Sequence, residues 1–100
     1  FGAGVANEML PCATWPAPPT GEARPITAPG APPILVVGNT GDAATPYENA
    51  VAVADRLESG VLVTADIGGH TAYGSNTCVT RVVDDYLIRL TVPSTDPSCR

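Results

Sequence analysis

The chain has 100 residues, with ten acidic side chains and five basic ones, all of them arginine. An acidic chain without a basic stripe is a poor partner for nucleic acid or an anionic membrane, and we expect it to bind neither. It has no apolar run of about 18 residues, so the sequence predicts no membrane span. The apolar fraction of 44% is ordinary for a globular protein and argues against disorder over the central stretch.

Residues 1–33 form a proline-rich stretch that we expect to be an irregular segment. Residues 1–10 carry only weak helical signals. Residues 11–25 are expected to be extended or turn-like, because each proline removes a backbone donor and restricts its predecessor. Trp15 is the only tryptophan, and its large ring predicts a buried anchor. Because the chain starts at Phe1 and not at methionine, we interpret it as a piece of a longer chain, with this segment linking to an upstream part.

The next part of the chain reads as strand, helix and strand. Two continuous apolar runs, residues 34–38 and 61–65, are typical of parallel strands buried on both faces. Polar and glycine-rich residues after each run predict turns. Between the strands lies a helix, with Thr45 as its predicted N-cap and Glu48 completing a capping box.

A second helix is predicted over residues 78–90, followed by an irregular tail over residues 91–100. The order strand, helix, strand requires a crossover connection between two parallel strands. The sequence therefore predicts the α/β class, with residues 34–100 forming a βαβα unit.

Each predicted strand leads into a turn that presents one chemically active side chain. Asp42 follows the first strand and His70 follows the second. Reactive groups gather beyond the carboxyl ends of parallel strands, which lie about 4.8 Å apart, so we expect the two side chains to meet. A carboxylate that accepts from the Nδ1–H of an imidazole fixes its tautomer and stabilises the imidazolium. Asp66 is a rival acid, but its position directly after the strand favours a turn former.

The nucleophile that should accompany this pair is not evident in the sequence. A triad serine sits in a G-x-S-x-G elbow between a strand and a helix, and Cys12 has no such elbow either. We therefore expect the acid and base in this chain and the nucleophile outside it. None of the four serines lies in the motif: Ser59, Ser75, Ser94 and Ser98.

The three cysteines give an odd count. The simplest account is one internal disulfide and one cysteine whose partner lies elsewhere, which requires an oxidising compartment. Without a C-x-x-C pair, and with a single histidine, the sequence argues against a zinc site. We expect neither a metal nor a cofactor.

The stretches GNTGDAATPY and IGGHTAYG, with the CV…YL…C ending, resemble the C-terminal part of secreted α/β-hydrolase serine peptidases of the tripeptidyl-aminopeptidase, or TAP-like, type. The resemblance implies the C-terminal portion of an α/β-hydrolase fold, with Asp42 as triad acid and His70 as triad base. It also implies a disulfide between Cys78 and Cys99. Cys12 would then form a bridge to a cysteine outside this chain.

By this resemblance the whole protein is an exported enzyme, secreted or associated with the cell envelope, that releases short N-terminal peptides. Its serine would lie in the remainder of the hydrolase chain, so we expect this piece alone to be inactive. An esterase or lipase of the same fold is the nearest alternative, because a triad does not choose between amide and ester. A non-catalytic binding module that docks a protein through its sheet edge is the other. Exposed edges also predict that the isolated piece is dimeric, swapped or bound to its remainder.

Overall fold

The computed structural model describes residues 3–22 and 24–100, and its centre is a parallel sheet of three strands in the order β1-β2-β3. The predicted α/β class, with a crossover helix between two parallel strands, is confirmed. The elements in chain order are α1 (Ala3–Ala13), β1 (Ile34–Gly41), α2 (Tyr47–Arg56), β2 (Gly60–Gly68), α3 (Thr77–Arg89) and β3 (Ser98–Cys99).

Alternate residues of β2 face different helices, which explains its continuous apolar sequence. Val63 and Ala65 are fully buried in a core that includes Val79 of α3. Thr64, between them, faces the other side, where its hydroxyl lies 2.7 Å from the hydroxyl of Tyr47 on α2. A strand covered on both faces does not need polar alternation.

β1 departs from the prediction in burial and in length. Both faces of β1 are covered, because Leu35 and Val37 pack against the core and α2 packs against Gly38. The burial is incomplete, since residues 34–37 are only half-buried. Within the described residues β1 pairs with β2 alone, so it is an edge strand. Both β1 and β2 also continue into residues expected to be turns, since their backbone pairing persists to Gly41 and Gly68.

Gly38 allows α2 to lie directly against β1. A Cβ atom at this position would lie 2.7 Å from the Cβ of Ala50 and 2.9 Å from Cδ2 of Tyr47. These separations are shorter than carbon atoms tolerate, so the close approach requires glycine. The helix is thereby held close to the strand that ends just before Asp42.

The end of the chain is irregular over residues 91–97, as the sequence predicts, but it finishes in β3, which pairs with the middle of β2. The Thr64 N–H donates to the carbonyl of Pro97 at 2.9 Å as this pairing begins. A disulfide joins Cys99, which is 1% exposed, to Cys78 in the first turn of α3. The bond holds the last strand against the last helix.

α3 begins one residue earlier than predicted because Asn76 caps it: its side-chain oxygen accepts from the Val79 N–H at 3.0 Å. The helix ends at Arg89, followed by Leu90 in the left-handed conformation. Val79 is buried, but the apolar side chains near the end of the helix are not, since Leu87 is 64% exposed. Among the helices of the described residues, none is long and apolar enough to cross a membrane.

The first third of the chain is not wholly irregular. α1 continues through Pro11 to Ala13, so the expected extended or turn-like conformation is wrong for residues 11–13. The end of α1 is held by Thr14, whose N–H and hydroxyl both donate to the carbonyl of Leu10, at 3.1 and 3.0 Å. After Thr14, the described residues up to 33 form neither helix nor strand.

Trp15 is not the buried anchor that the sequence predicts. Its side chain is 69% exposed, and the described side chains from residue 10 to residue 22 are all exposed. Within the described residues nothing covers this segment, so its one large ring remains in solvent. Phe1, on which the interpretation as a piece depends, lies outside the described residues.

Candidate active site

The structure brings Asp42 and His70 together at one end of the sheet. Asp42 directly follows Gly41 at the end of β1, and His70 lies two residues beyond Gly68 at the end of β2. The Nδ1 atom of His70 is 2.9 Å from Oδ2 of Asp42. Because an ionised carboxylate can only accept, Nδ1 carries a hydrogen, and in the neutral tautomer Nε2 carries none. An imidazole held in this way can take up a proton at Nε2.

The Asp42 carboxylate accepts four hydrogen bonds, which matches the roughly four lone-pair positions of its two oxygens. Oδ1 accepts from the N–H groups of Ala44, at 2.8 Å, and Thr45, at 3.0 Å. Oδ2 accepts from the Thr45 hydroxyl at 2.7 Å, in addition to His70. With a side chain only 5% exposed, the carboxylate is shielded from water and depends on these donors.

These donors hold the pKa of Asp42 well below its ordinary value of 3.8. The largest cause is the hydrogen bond from the backbone N–H of Thr45, followed by the bond from the Thr45 hydroxyl. Bonds from His70 and Ala44 add smaller effects in the same direction, and burial opposes them. The carboxylate is therefore ionised at neutral pH.

Thr45 is not the helix cap that the sequence predicts. Pro46 occupies the N-cap position of α2 and makes no side-chain capping bond, so the predicted capping box of Thr45 and Glu48 is wrong. The Thr45 hydroxyl is committed to Asp42, and its oxygen also lies 3.4 Å from Nδ1 of His70. Sequence reasoning missed this role. The available signal was the D-x-x-T spacing, in which the threonine hydroxyl can fold back onto the aspartate.

The backbone on both sides of His70 is in the left-handed region. Gly69 has φ +97° and Thr71 has φ +65°. For a β-branched residue such as Thr71, this conformation costs on the order of 1–3 kcal/mol and persists only where the surroundings impose it. Asn39 supplies one restraint, because its buried side-chain amide donates to the carbonyl of Gly69 at 2.9 Å. The turn that carries His70 is thus tied to the end of β1.

A bulge near the end of β2 sets the level of His70 relative to Asp42. Asn39 pairs with Ala65, whereas Gly41 pairs with Gly68, so β2 contains one residue more than β1 over this interval. The strands approach closely here: a Cβ on Gly41 would lie 2.9 Å from Cα of Gly68. The pairing ends with the Gly69 N–H donating to the carbonyl of Gly41 at 3.2 Å.

A cleft of about 440 Å³ opens beside the pair, between β1, α2 and the loop after His70. Both residues line the cleft, but the His70 side chain is 57% exposed and that of Asp42 only 5%. Tyr73 forms part of the wall and donates its hydroxyl to Asp84 at 2.9 Å, a bond that raises the pKa of Tyr73. The base is accessible to an incoming group and the acid is not.

Asp66, the rival acid, is bound elsewhere. Its Oδ1 accepts from the Thr40 hydroxyl at 3.0 Å, and its Oδ2 lies 3.7 Å from Nε of Arg100. Its carboxylate makes no hydrogen bond to His70. Asp66 lies within β2, so its interpretation as a turn former is wrong.

The structure places no nucleophile on His70. Within residues 3–22 and 24–100 no serine hydroxyl hydrogen-bonds its ring, and Ser75, the nearest serine in sequence, donates to the carbonyls of Thr71 and Ala72. Cys12 is exposed and unpaired in this chain. The part of the chain that the structure describes contains no cluster of His, Cys, Asp or Glu side chains suited to a metal ion.

A parallel α/β sheet with an aspartate and a histidine in contact beyond adjacent strand ends is the arrangement of the α/β-hydrolase class. The family model described as TAP-like protein matches residues 1–99. The chain belongs to this family and forms a portion of an α/β-hydrolase fold.

Curated proteins that resemble the chain are hydrolases by name. The chain is 40% identical over 89 residues to serine protease Hip1 of Mycobacterium tuberculosis. The aligned residues make up 88% of this chain and 17% of that protein. Over 92 residues it is 40% identical to tripeptidyl aminopeptidase of Streptomyces lividans, covering 90% of this chain and 17% of that protein. Carboxylesterase B of Mycobacterium tuberculosis is 39% identical over 89 residues, 88% of this chain and again 17% of the relative. The chain therefore spans only a small part of the length of these relatives.

Proposed function

We propose that this chain is the C-terminal part of an exported serine peptidase, in which Asp42 and His70 are the acid and base of a Ser-Asp-His triad. The observation that carries this proposal is the 2.9 Å contact between Nδ1 of the exposed His70 and the shielded carboxylate of Asp42. Membership of the TAP-like family supports it.

In the proposed mechanism, Nε2 of His70 takes the proton of the nucleophilic serine as the serine oxygen attacks the carbonyl carbon of the substrate. The imidazolium that forms is stabilised by the ionised Asp42, and it then gives its proton to the leaving amine. A water molecule then gives a proton to His70 and attacks the acyl-enzyme, and His70 returns the proton to the serine as the acid product leaves. Asp42 keeps its charge throughout, because its four donors favour the ionised form.

We propose that the nucleophilic serine lies in the remainder of the hydrolase chain, which would pair along the open edge of β1. That edge borders the cleft beside His70, so a strand added there would bring its end close to the imidazole. The chain spans only 17% of its relatives, which leaves room for such a segment. The 100-residue chain alone would then be inactive.

The cysteines are the basis on which we propose that the protein is exported. A disulfide such as the one between Cys78 and Cys99 persists in oxidising compartments and is rare in the cytosol. Cys12 is exposed, as a bridge to a cysteine outside this chain would require. The proposed location is secreted or associated with the cell envelope.

The proposed substrate is a peptide from which short N-terminal units are released, since one relative is named a tripeptidyl aminopeptidase and another a serine protease. Ester hydrolysis is a second candidate, because a further relative is named a carboxylesterase. The triad chemistry is shared by both reactions, so the ratio of rates on paired peptide and ester reporters separates them.

The test uses the full-length protein with a tripeptidyl p-nitroanilide and a p-nitrophenyl ester. His70→Ala should lower kcat by about 10⁶-fold and Asp42→Asn by about 10⁴-fold, with little change in KM, as in other serine triads. Asp66→Asn is the matched control, because Asp66 is another carboxylate near the end of β2 and bonds Thr40 instead of His70, and it should keep the rate. Full activity of His70→Ala on both reporters would show that the catalytic assignment is wrong.

A further inference from the structure

We infer that Thr45 is a positioning residue, whose hydroxyl holds the Asp42 carboxylate in the orientation that serves His70. The inference rests on the proposed triad, and it adds a residue that neither the family motif nor the helix-start pattern assigns to the site. Thr45 acts through Asp42 and has no direct part in the bond-breaking step.

The first observation is that Thr45 bonds both oxygens of the same carboxylate. Its backbone N–H donates to Oδ1 at 3.0 Å, and its hydroxyl donates to Oδ2 at 2.7 Å. The torsion between the Cβ and the carboxyl group of an aspartate is intrinsically broad, so the group rotates unless it is held. Without the hydroxyl, the remaining backbone donors would grip only Oδ1, and Oδ2 would lose its second donor beside His70.

The second observation concerns the imidazole. The Thr45 oxygen lies 3.4 Å from Nδ1 of His70. Because the single hydroxyl hydrogen is used on Asp42, this oxygen presents a lone pair to the ring. Both groups that face Nδ1 are therefore acceptors, which favours the tautomer with hydrogen on Nδ1 and a free Nε2.

The third observation separates this role from a role in folding. Thr45 makes no capping bond to α2, which has Pro46 at its N-cap and begins at Tyr47. The Thr45 residue is exposed overall, and within the described residues its hydroxyl contacts only Asp42 and His70. The proline that follows restricts the backbone of Thr45 to extended conformations, so the hydroxyl is presented from a stiff position.

The test is Thr45→Val in the full-length enzyme, because valine keeps the β-branched shape and removes only the hydroxyl. We expect kcat on the tripeptidyl p-nitroanilide to fall about tenfold or more, the usual effect of losing a hydrogen bond to a charged group, with little change in KM. Thr45→Ser, which keeps the hydroxyl, should restore most of the rate. The matched control is Thr40→Val, which removes a similar threonine bond to Asp66 and should leave the rate unchanged.

A double-mutant cycle with Asp42→Asn distinguishes positioning from a general structural effect. If Thr45 acts through Asp42, adding Thr45→Val to Asp42→Asn should cause no further loss. An equal loss in both backgrounds, or full activity of Thr45→Val with an unchanged unfolding midpoint, would overturn the inference. Should Thr45→Val misfold, the same cycle with Thr45→Ala replaces it. If Asp42→Asn is itself fully active, the triad proposal has failed, and the inference fails with it.

Discussion

Breaking the disulfide between Cys78 and Cys99 should destabilise the fold strongly while leaving the contact between Asp42 and His70 intact. The two cysteines are 21 positions apart. In the chain-entropy model, opening a loop of that size costs about 3 kcal/mol of unfolding free energy. Cys99 is 1% exposed and contributes to the core, so replacing it by alanine also leaves unfilled space. For a small domain with a total stability of about 5–15 kcal/mol, this is a large share.

The assay is urea unfolding of the 100-residue chain, followed by circular dichroism at one fixed protein concentration. The wild type and the variant Cys78→Ala/Cys99→Ala are each measured with and without a thiol reductant. With a slope of about 1 kcal/mol per molar urea, we expect the wild-type midpoint to fall by about 2–3 M on reduction. The variant should start near the reduced midpoint and should not respond to the reductant.

Equal midpoints for the oxidised and reduced wild type would refute this reasoning. They would show that packing alone holds β3 against β2, and that the open loop retains enough structure to remove the entropic gain. A response of the double variant to reductant would show that a bond involving Cys12, the remaining cysteine, contributes to stability instead.

Three further predictions concern pH, packing and assembly. The pKa of Asp42 is lowered in the folded state, so this residue stabilises the fold above the ordinary value of 3.8, and the stabilisation is lost as pH falls below it. Urea titrations should therefore show that the difference in unfolding free energy between wild type and Asp42→Asn shrinks on acidification. Gly38→Ala should lower the unfolding free energy by about 1–3 kcal/mol through overpacking against Ala50, and an unchanged urea midpoint would contradict this. The isolated chain should sediment as a dimer or larger species, because β1 has an open edge and Ile88 is 77% exposed. A monomer at high concentration would count against it.

The pairing of Asp42 with His70 could be predicted because it follows from local patterns and one topological rule. Two apolar runs with a helical stretch between them require parallel strands, and parallel strands place their carboxyl ends at the same edge of a sheet. The residues that follow those ends are therefore neighbours whatever the details of packing. The bend at Gly69 and Thr71 that directs the imidazole could not be predicted in the same way, because it depends on the tether from Asn39.

The last strand was beyond sequence patterns for a different reason. β3 has only two residues, and no periodicity can be read from so short a stretch. Its position is set by distant contacts: the disulfide of Cys99, and the Asp96 side chain, which accepts from the N–H of Leu62 at 3.1 Å. The exposure of Trp15 was missed because burial depends on neighbours, and within the described residues that segment has none.

Thr45 shows how a correct local signal can lead to a wrong role. A threonine before a proline, with a glutamate three positions later, is a typical helix start, and α2 does begin there. The Thr45 hydroxyl nevertheless donates to Asp42. A hydrogen bond to an ionised carboxylate is stronger than the capping bond between a neutral hydroxyl and a backbone N–H. Only coordinates could decide between the two.

The bulge near the end of β2 places a constraint on length that no single substitution reveals. β2 has one residue more than β1 between Ala65 and Gly68, so removing one residue there would abolish the bulge and change the turn that carries His70. We therefore expect deletions and insertions in this short interval to be rare in related chains, even where each residue can be substituted. We expect related chains to differ here in residue type but not in the number of residues.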